Sequence, residues 1–177
     1  MKYYRITYHS TGIYEALKKE LNRLKTIERK WIMIKEITTI EEANICDNLL
    51  TLLIQDERKY NDTIDENYVV KDHFSKLLDK ENAKVLAYYL DNKIVGYILI
   101  RKTDDLTCLL DGLFVIDEYR NRGIGKKLIN EAIKVCKTYK VKYVDINVMK
   151  NNTIAKNLYQ ELDFNELEIK MRKHLED

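Results

Sequence analysis

What this chain has little of narrows its class before any motif is read. It has three cysteines, Cys46, Cys108 and Cys136, which stand far apart, form no CxxC pair and are accompanied by equally scattered His9, His73 and His174. A disulfide framework and a zinc site are therefore both poor readings, and no metal is expected. The cysteines read as small apolar core residues. No apolar run is long enough to span a bilayer, and the opening MKYYRITYHS is too polar for a signal peptide. Those absences point to the cytoplasm and to no membrane partner. Net charge is nearly absent too, because 31 Lys and Arg against 29 Asp and Glu leave +2. The lysines are interleaved with acidic residues rather than gathered on one face, so no nucleic-acid partner is expected. Proline does not occur at all. That accompanies a composition rich in Lys, Asn, Ile and Tyr, and we attach no function to it.

What is present describes a globular chain. Its 177 residues are 45% hydrophobic and 34% charged, enough to bury one ordinary core. Lys2 to Tyr8 alternates weakly as a short strand, and residues 12–30 read as a charged amphipathic helix with Leu17, Leu21 and Leu24 on one stripe. Residues 1–32 thus form an accessory extension, whose stripe either covers the main sheet or meets a second subunit in a homodimer.

A more regular pattern fills residues 33–177. Strands are expected at Trp31 to Ile37, Val85 to Leu90, Ile94 to Arg101, Thr107 to Ile116, Lys142 to Met149 and Glu166 to Arg172. Helices are expected at Glu41 to Leu53, near Val69 to Leu78, and at 123–139 and 153–162. Asp91-Asn92-Lys93 is a hairpin signal, and Gln55 to Glu66 reads as a polar, acidic loop. Antiparallel strands followed by strand–helix–strand–helix–strand imply an α/β fold of the α+β type, a mixed sheet flanked by helices.

The most informative stretch is LFVIDEYRNRGIGKK, from Leu113 to Lys127. An apolar strand runs into a short basic turn, and an amphipathic helix starts at Gly123 and Gly125. Glycine lets backbone come close to a ligand, and the free N–H groups and positive dipole end of the new helix favour an anion. Arg120, Arg122, Lys126 and Lys127 add charge, so the stretch reads as a pyrophosphate cradle. A Walker loop is excluded because Lys127, not a hydroxyl residue, follows Lys126. A Rossmann fingerprint is excluded because Leu128 stands where a third small residue belongs.

Here the chain resembles the GNAT superfamily of N-acetyltransferases. Arg-Asn-Arg-Gly-Ile-Gly, residues 120–125, matches the signature [RQ]-x-x-G-x-[GA] after an Leu-Phe-Val strand. A second block, from Asn147 through Asn152, Ala155, Leu158-Tyr159 and Leu162-Asp163-Phe164, is similar to the family's N-x-x-A-x-x-L-Y-x-x-x-G-F, with Asp163 where glycine is usual. The resemblance covers roughly residues 33–172 and implies a mostly antiparallel sheet with two splayed parallel central strands. It implies acetyl-CoA as the acetyl donor. The backbone of Leu113, Phe114 and Val115 would then meet the pantetheine arm, with one N–H polarising the thioester carbonyl. The backbone from Asn121 through Arg122, Gly123, Ile124 and Gly125 to Lys126, with Arg120, would hold the pyrophosphate. Asn147 and Asn152 also match cofactor-side positions, and Asn152 reads equally well as a helix cap.

By the same resemblance Tyr159 is the general acid that protonates the leaving thiolate. Some relatives carry a basic glutamate where this chain has Asn147, and an amide cannot serve as a base. Asp111 matches the base of spermidine/spermine acetyltransferases and, by strand alternation, shares a face with Val115. The implied reaction is acetyl transfer to a primary amine, a small cationic one suiting the acidic 56–66 segment, by direct attack in a ternary complex. Acetylation of a protein N-terminus or lysine, and acyl-CoA binding without catalysis, are the alternatives.

Overall fold

The computed structural model describes residues 31–173 together with Glu15, Lys18, Lys19 and Leu175. The chain divides into two compact units, Met1–Trp31 and Ile32–Asp177. In the first, Glu15, Lys18 and Lys19 are helical. The strand expected over Lys2 to Tyr8 and the leucine stripe lie outside the described residues.

The second unit is built on a five-stranded sheet in the order β1-β2-β3-β4-β5. Its strands are β1 (Ile32–Glu36), β2 (Ala83–Leu90), β3 (Lys93–Lys102), β4 (Thr107–Val115) and β5 (Tyr143–Ile146). The first three joins are antiparallel and β4 pairs with β5 in parallel. Three helices accompany them: α1 (Ile40–Glu57), α2 (Ile124–Thr138) and α3 (Thr153–Gln160). Asp91 and Asn92, with φ of 50° and 63°, make the two-residue loop between β2 and β3, the left-handed pair that a tight hairpin needs.

Strand alternation divides the apolar residues between two cores. Leu86, Tyr88, Val95, Ile98 and Ile100 pack with Leu128, Ile129, Ala132 and Cys136 of α2. Their neighbours Val85, Ala87, Tyr89, Tyr97 and Leu99 pack with Ala43, Cys46 and Leu49 of α1. The sheet is thus covered on both faces, and each fully buried Leu or Ile contributes about 1.5–3 kcal/mol to holding it there.

Helix α1 starts at a capping box. Thr39 accepts from the Glu42 N–H while Glu42 accepts from the Thr39 N–H. It runs to Glu57, beyond the expected end at Leu53, so the acidic loop begins later than its composition suggested. The helix expected near Val69 to Leu78 is a single 3₁₀ turn, Ser75–Leu77. The reason lies in α1. Val70 N–H donates to Thr51 Oγ1 at 3.0 Å, and the N–H groups of His73 and Phe74 donate to the two Asp47 carboxylate oxygens at 3.2 and 3.0 Å. Gln55 Nε2 donates to the carbonyls of Asp65 and Tyr68. Asp47, Thr51 and Gln55 recur every four residues on one helix face, and Asp47 takes the N–H groups of His73 and Phe74, which a helix over 69–78 would have paired internally. Val70 and Phe74 are still buried, so the apolar pattern reported burial and not conformation.

Two further expectations are corrected at the other end. Glu166 to Arg172 pairs with no strand among the described residues, and its alternating Leu167, Ile169 and Met171 are exposed. Alternation marks a sequence able to form a strand, but the ladder requires a partner edge. Without it β5 stands at the sheet edge among the described residues. The expected strand from Lys142 to Met149 is likewise shortened to Tyr143–Ile146, because β4, its partner among the described residues, leaves it at that point.

Candidate active site

The β4–β5 ladder ends at the pair Leu110 and Ile146. Beyond it β4 continues against β3 alone among the described residues, so residues 111–115 have no ladder partner on the β5 side, which leaves a gap there. The gap begins at a bulge. Ile98 opposes Leu113 while Ile100 opposes Leu110, which leaves Leu99 facing both Asp111 and Gly112. Gly112 takes φ 84°, a conformation that favours glycine. The extra residue reverses the alternation. Cys108 and Leu110 before it, and Leu113 and Val115 after it, all join the α2 core, while Phe114 joins the α1 core. Asp111 therefore shares the α1 face with Phe114, not the face of Val115 as simple alternation implied. There its carboxylate is ion-paired with Arg101 of β3.

The turn after β4 is shaped by its own arginines. Arg120 Nε donates to the Val115 carbonyl at 2.9 Å, its guanidinium pairs with Asp117 at 2.8 Å and lies over the Phe114 ring. Arg122 donates to the Glu118 carbonyl at 2.8 Å and covers Tyr119. Asn121 and Gly123, at φ 60° and 72°, then turn the chain into α2. Gly123 is the N-cap, and no side chain caps the helix. The first N–H groups of a helix have no internal acceptor, so those of Ile124, Gly125 and Lys126 suit a phosphate. The space where a Gly123 Cβ would stand is open. Gly125 does different work, since its Cβ would stand 3.3 Å from Leu158 Cδ2 and 3.7 Å from Leu113 Cδ2. Gly123 leaves open space beside the turn, and Gly125 lets α2, α3 and β4 converge. Lys126 lies 3.6 Å from Glu161, and Lys127 lies over Tyr88.

Helix α3 carries the tyrosine. Asn152 caps it, its Oδ1 accepting from the Ala155 N–H at 3.2 Å. Asp163, at φ 64°, closes the other end, with the Phe164 N–H reaching back to the Tyr159 carbonyl at 3.1 Å. That 6→1 bond across a left-handed residue is why glycine is usual at this position and why aspartate, which tolerates the conformation, can replace it. The closure sets Phe164 beside Tyr159, with ring centroids 6.2 Å apart. Tyr159 is 9% exposed, and burial together with the charge of Glu57 pushes its phenol up to about 12. Asn147 stands just past β5 and is exposed.

Glu57 is the residue that the motifs missed. It is the last residue of α1, half-buried, and burial with the charges of Asp56 and Asp111 holds its carboxyl above the ordinary glutamate value. The signal was available, because Leu49, Leu53 and Glu57 continue one four-residue spacing. The Tyr97 hydroxyl, also on the α1 side of the sheet, is fully buried and has no hydrogen-bond partner. It lies 3.3 Å from where a Gly112 Cβ would stand. Among the described residues no cluster of His, Cys, Asp and Glu could hold a metal, and no helix is long and apolar enough to cross a membrane. The cysteines are buried free thiols, and burial pushes Cys46 and Cys136 up to about 12, which keeps them unreactive. A concavity of about 500 Å³ beside Thr39, Glu42, Tyr89 and Lys93 lies at the opposite end of α1 from Glu57.

The acetyltransferase (GNAT) family model matches residues 47–164. Streptothricin acetyltransferase A of Bacillus subtilis is 27% identical over 81 residues, which are 46% of this chain and 47% of that protein. The spermine/spermidine N(1)-acetyltransferase of the same organism is 35% identical over 65 residues, 32% of this chain and 43% of that one. The match thus spans less than half the length of either relative. A crystal structure of a mutant BH1408 protein from Bacillus halodurans superposes with TM-score 0.72 at 23% identity, covering 81% of this chain and 99% of that one. At that identity the likeness concerns the fold.

Proposed function

This chain belongs to the acetyltransferase (GNAT) family, and from that premise we propose that it transfers acetyl from acetyl-CoA to the primary amine of a small cationic acceptor, by direct attack in a ternary complex. The observation that carries the reading is convergence at Gly125. There the uncapped first turn of α2 meets Leu113, on the stretch of β4 that has left β5, and Leu158, the residue before Tyr159. A phosphate bound on the α2 amides would therefore belong to a molecule whose other end can enter the gap beside α3, the helix that carries Tyr159.

Each group has a defined task on this reading. The backbone from Asn121 to Lys126 holds the pyrophosphate, with dipole and free N–H groups acting together. Arg120 keeps the Val115 carbonyl occupied and the turn in shape. The β4 backbone at Leu113, Phe114 and Val115 guides the pantetheine arm and supplies the N–H that steadies the oxyanion. Tyr159, with its phenol near 12, stays protonated at physiological pH and holds the proton that the departing sulfur needs. Asn152 serves as the α3 cap and so positions Tyr159 from a distance.

A calorimetric titration with acetyl-CoA, followed by thiol release with alkylamines, polyamines and peptides, tests the proposal. Micromolar binding with thiol release to small amines is the expected result. No binding at millimolar acetyl-CoA would overturn it, and release with peptides alone would move the acceptor to the protein class.

A further inference from the structure

The tasks assigned so far leave Glu57 idle. It follows Leu53 by one helical turn, and Leu53 Cδ2 lies 3.8 Å from the place a Gly112 Cβ would occupy, so the end of α1 covers the β4 bulge. Its carboxylate has no ion pair or side-chain hydrogen bond among the described residues, unlike the carboxylates of Asp56, Glu66 and Asp111. Asp56 is held by Lys59 at 2.8 Å, Glu66 by Arg58 at 3.6 Å and Asp111 by Arg101. A half-buried carboxylate without a counter-charge is unusual, since desolvation acts against it with nothing in return. The Tyr97 hydroxyl, fully buried and without a partner, points at the same bulge from within the core. Two unmet polar groups therefore converge where β4 leaves β5.

We propose that Glu57 is the acceptor-side residue of this site: it binds the ammonium group of the incoming amine and takes its proton. The proposal rests on the transferase reading and deepens it. It also narrows the acceptor. With Asp111 neutralised by Arg101, one uncompensated negative charge remains at the end of α1 that covers the bulge, which suits a single primary ammonium at the reacting end.

The proton and electron movements close. An N–H bond of the ammonium breaks and its proton goes to a Glu57 oxygen. The freed lone pair forms the C–N bond to the acetyl carbon, and the electron pair of the breaking C–S bond goes to sulfur. Tyr159 protonates the sulfur and recovers a proton from the nitrogen as the amide forms. Glu57, at the mouth of the gap, returns its proton to solvent. The groups facing Glu57 are Asp56 on its own helix, Asp111 with its partner Arg101, and the hydroxyls of Tyr97 and Tyr159. The two acids and burial raise its titration, so the acidic limb of the rate profile should lie above the usual 4.5 of a glutamate.

The test compares Glu57→Gln with wild type, using unbranched alkylamines as acceptors. At neutral pH kcat/KM should fall about 100-fold and the acidic limb should vanish, while acetyl-CoA affinity by calorimetry stays within about twofold. Glu57→Asp should restore part of the rate and the limb. A readout independent of turnover is thermal stability. A carboxyl raised in the fold loses stability as pH climbs through its titration, and glutamine does not. The Tm of Glu57→Gln minus that of wild type should therefore grow between pH 4 and 7. Wild-type rate and limb retained in Glu57→Gln would overturn the role of Glu57 alone, and so would a loss of acetyl-CoA affinity in step with the rate. Wild-type protein that binds acetyl-CoA yet acetylates no amine would instead overturn the transferase reading.

Discussion

The carboxylate of Asp47 receives the backbone N–H of Phe74 at 3.0 Å on one oxygen and that of His73 at 3.2 Å on the other, across 26 and 27 residues of chain. Asp47 is 4% exposed and the only charged residue buried to that degree among the described residues. It fastens the long connection between α1 and β2 to the helix that carries Glu57. Asp47→Ala would leave both N–H groups without an acceptor and should cost about 3 kcal/mol. Asp47→Asn, which keeps one acceptor, should cost about half of that. Chemical denaturation measures both; equal stability of all three proteins would mean that water replaces the carboxylate.

Tyr159→Phe should lower turnover about 100-fold and leave acetyl-CoA affinity unchanged, because only the proton is lost while the ring remains against Phe164. Steady-state kinetics beside calorimetry separate the two. Unchanged turnover would remove Tyr159 from the chemistry.

The two glycines of the turn should respond differently. Gly123→Ala meets no neighbour but is strained at φ 72°, so it should cost about 1 kcal/mol of stability and weaken acetyl-CoA binding more than it harms the fold. Gly125→Val drives its side chain toward Leu158 and Leu113 and should cost about 1–3 kcal/mol through overpacking. Thermal melts with and without acetyl-CoA distinguish the outcomes.

Glu42 sets the acid limit. Burial pushes its carboxyl up, but hydrogen bonds from Lys35, the Thr38 N–H, the Tyr89 hydroxyl and the Thr39 N–H outweigh burial and hold it at about 2. A depressed carboxyl stabilises the fold above its unfolded value of 4.5, and that contribution fades as pH falls toward 2. The Tm of Glu42→Gln should therefore lie well below wild type at pH 7 and approach it near pH 2. Parallel curves would show that the carboxylate is not what holds the cap.

Tyr97→Phe removes a buried hydroxyl that has no partner. Stability should hold or rise by about 1 kcal/mol. A loss of that size would mean that the hydroxyl is hydrogen-bonded in solution.

The amino-acid order alone determined everything that depends on near neighbours. The 91–92 hairpin, the start of α2 at its glycines and the α3 block ending in Asp163 and Phe164 are each set by local backbone preference, so they were legible residue by residue. The family followed from the spacing of two such motifs. Tertiary structure decided what depends on a distant partner. Val69 to Leu78 has a helical apolar pattern but gives N–H groups to Asp47 and Thr51, and Glu166 to Arg172 alternates like a strand but forms no ladder among the described residues. One extra residue at Asp111-Gly112 reverses the alternation and moves Asp111 to the α1 face, which no count along the chain reveals without the facing strand. The same holds for Glu57. Its charge was visible among other acidic residues, but that it is half-buried at the end of α1, while Asp56, Glu66 and Asp111 take the nearby cations, is settled only by the fold.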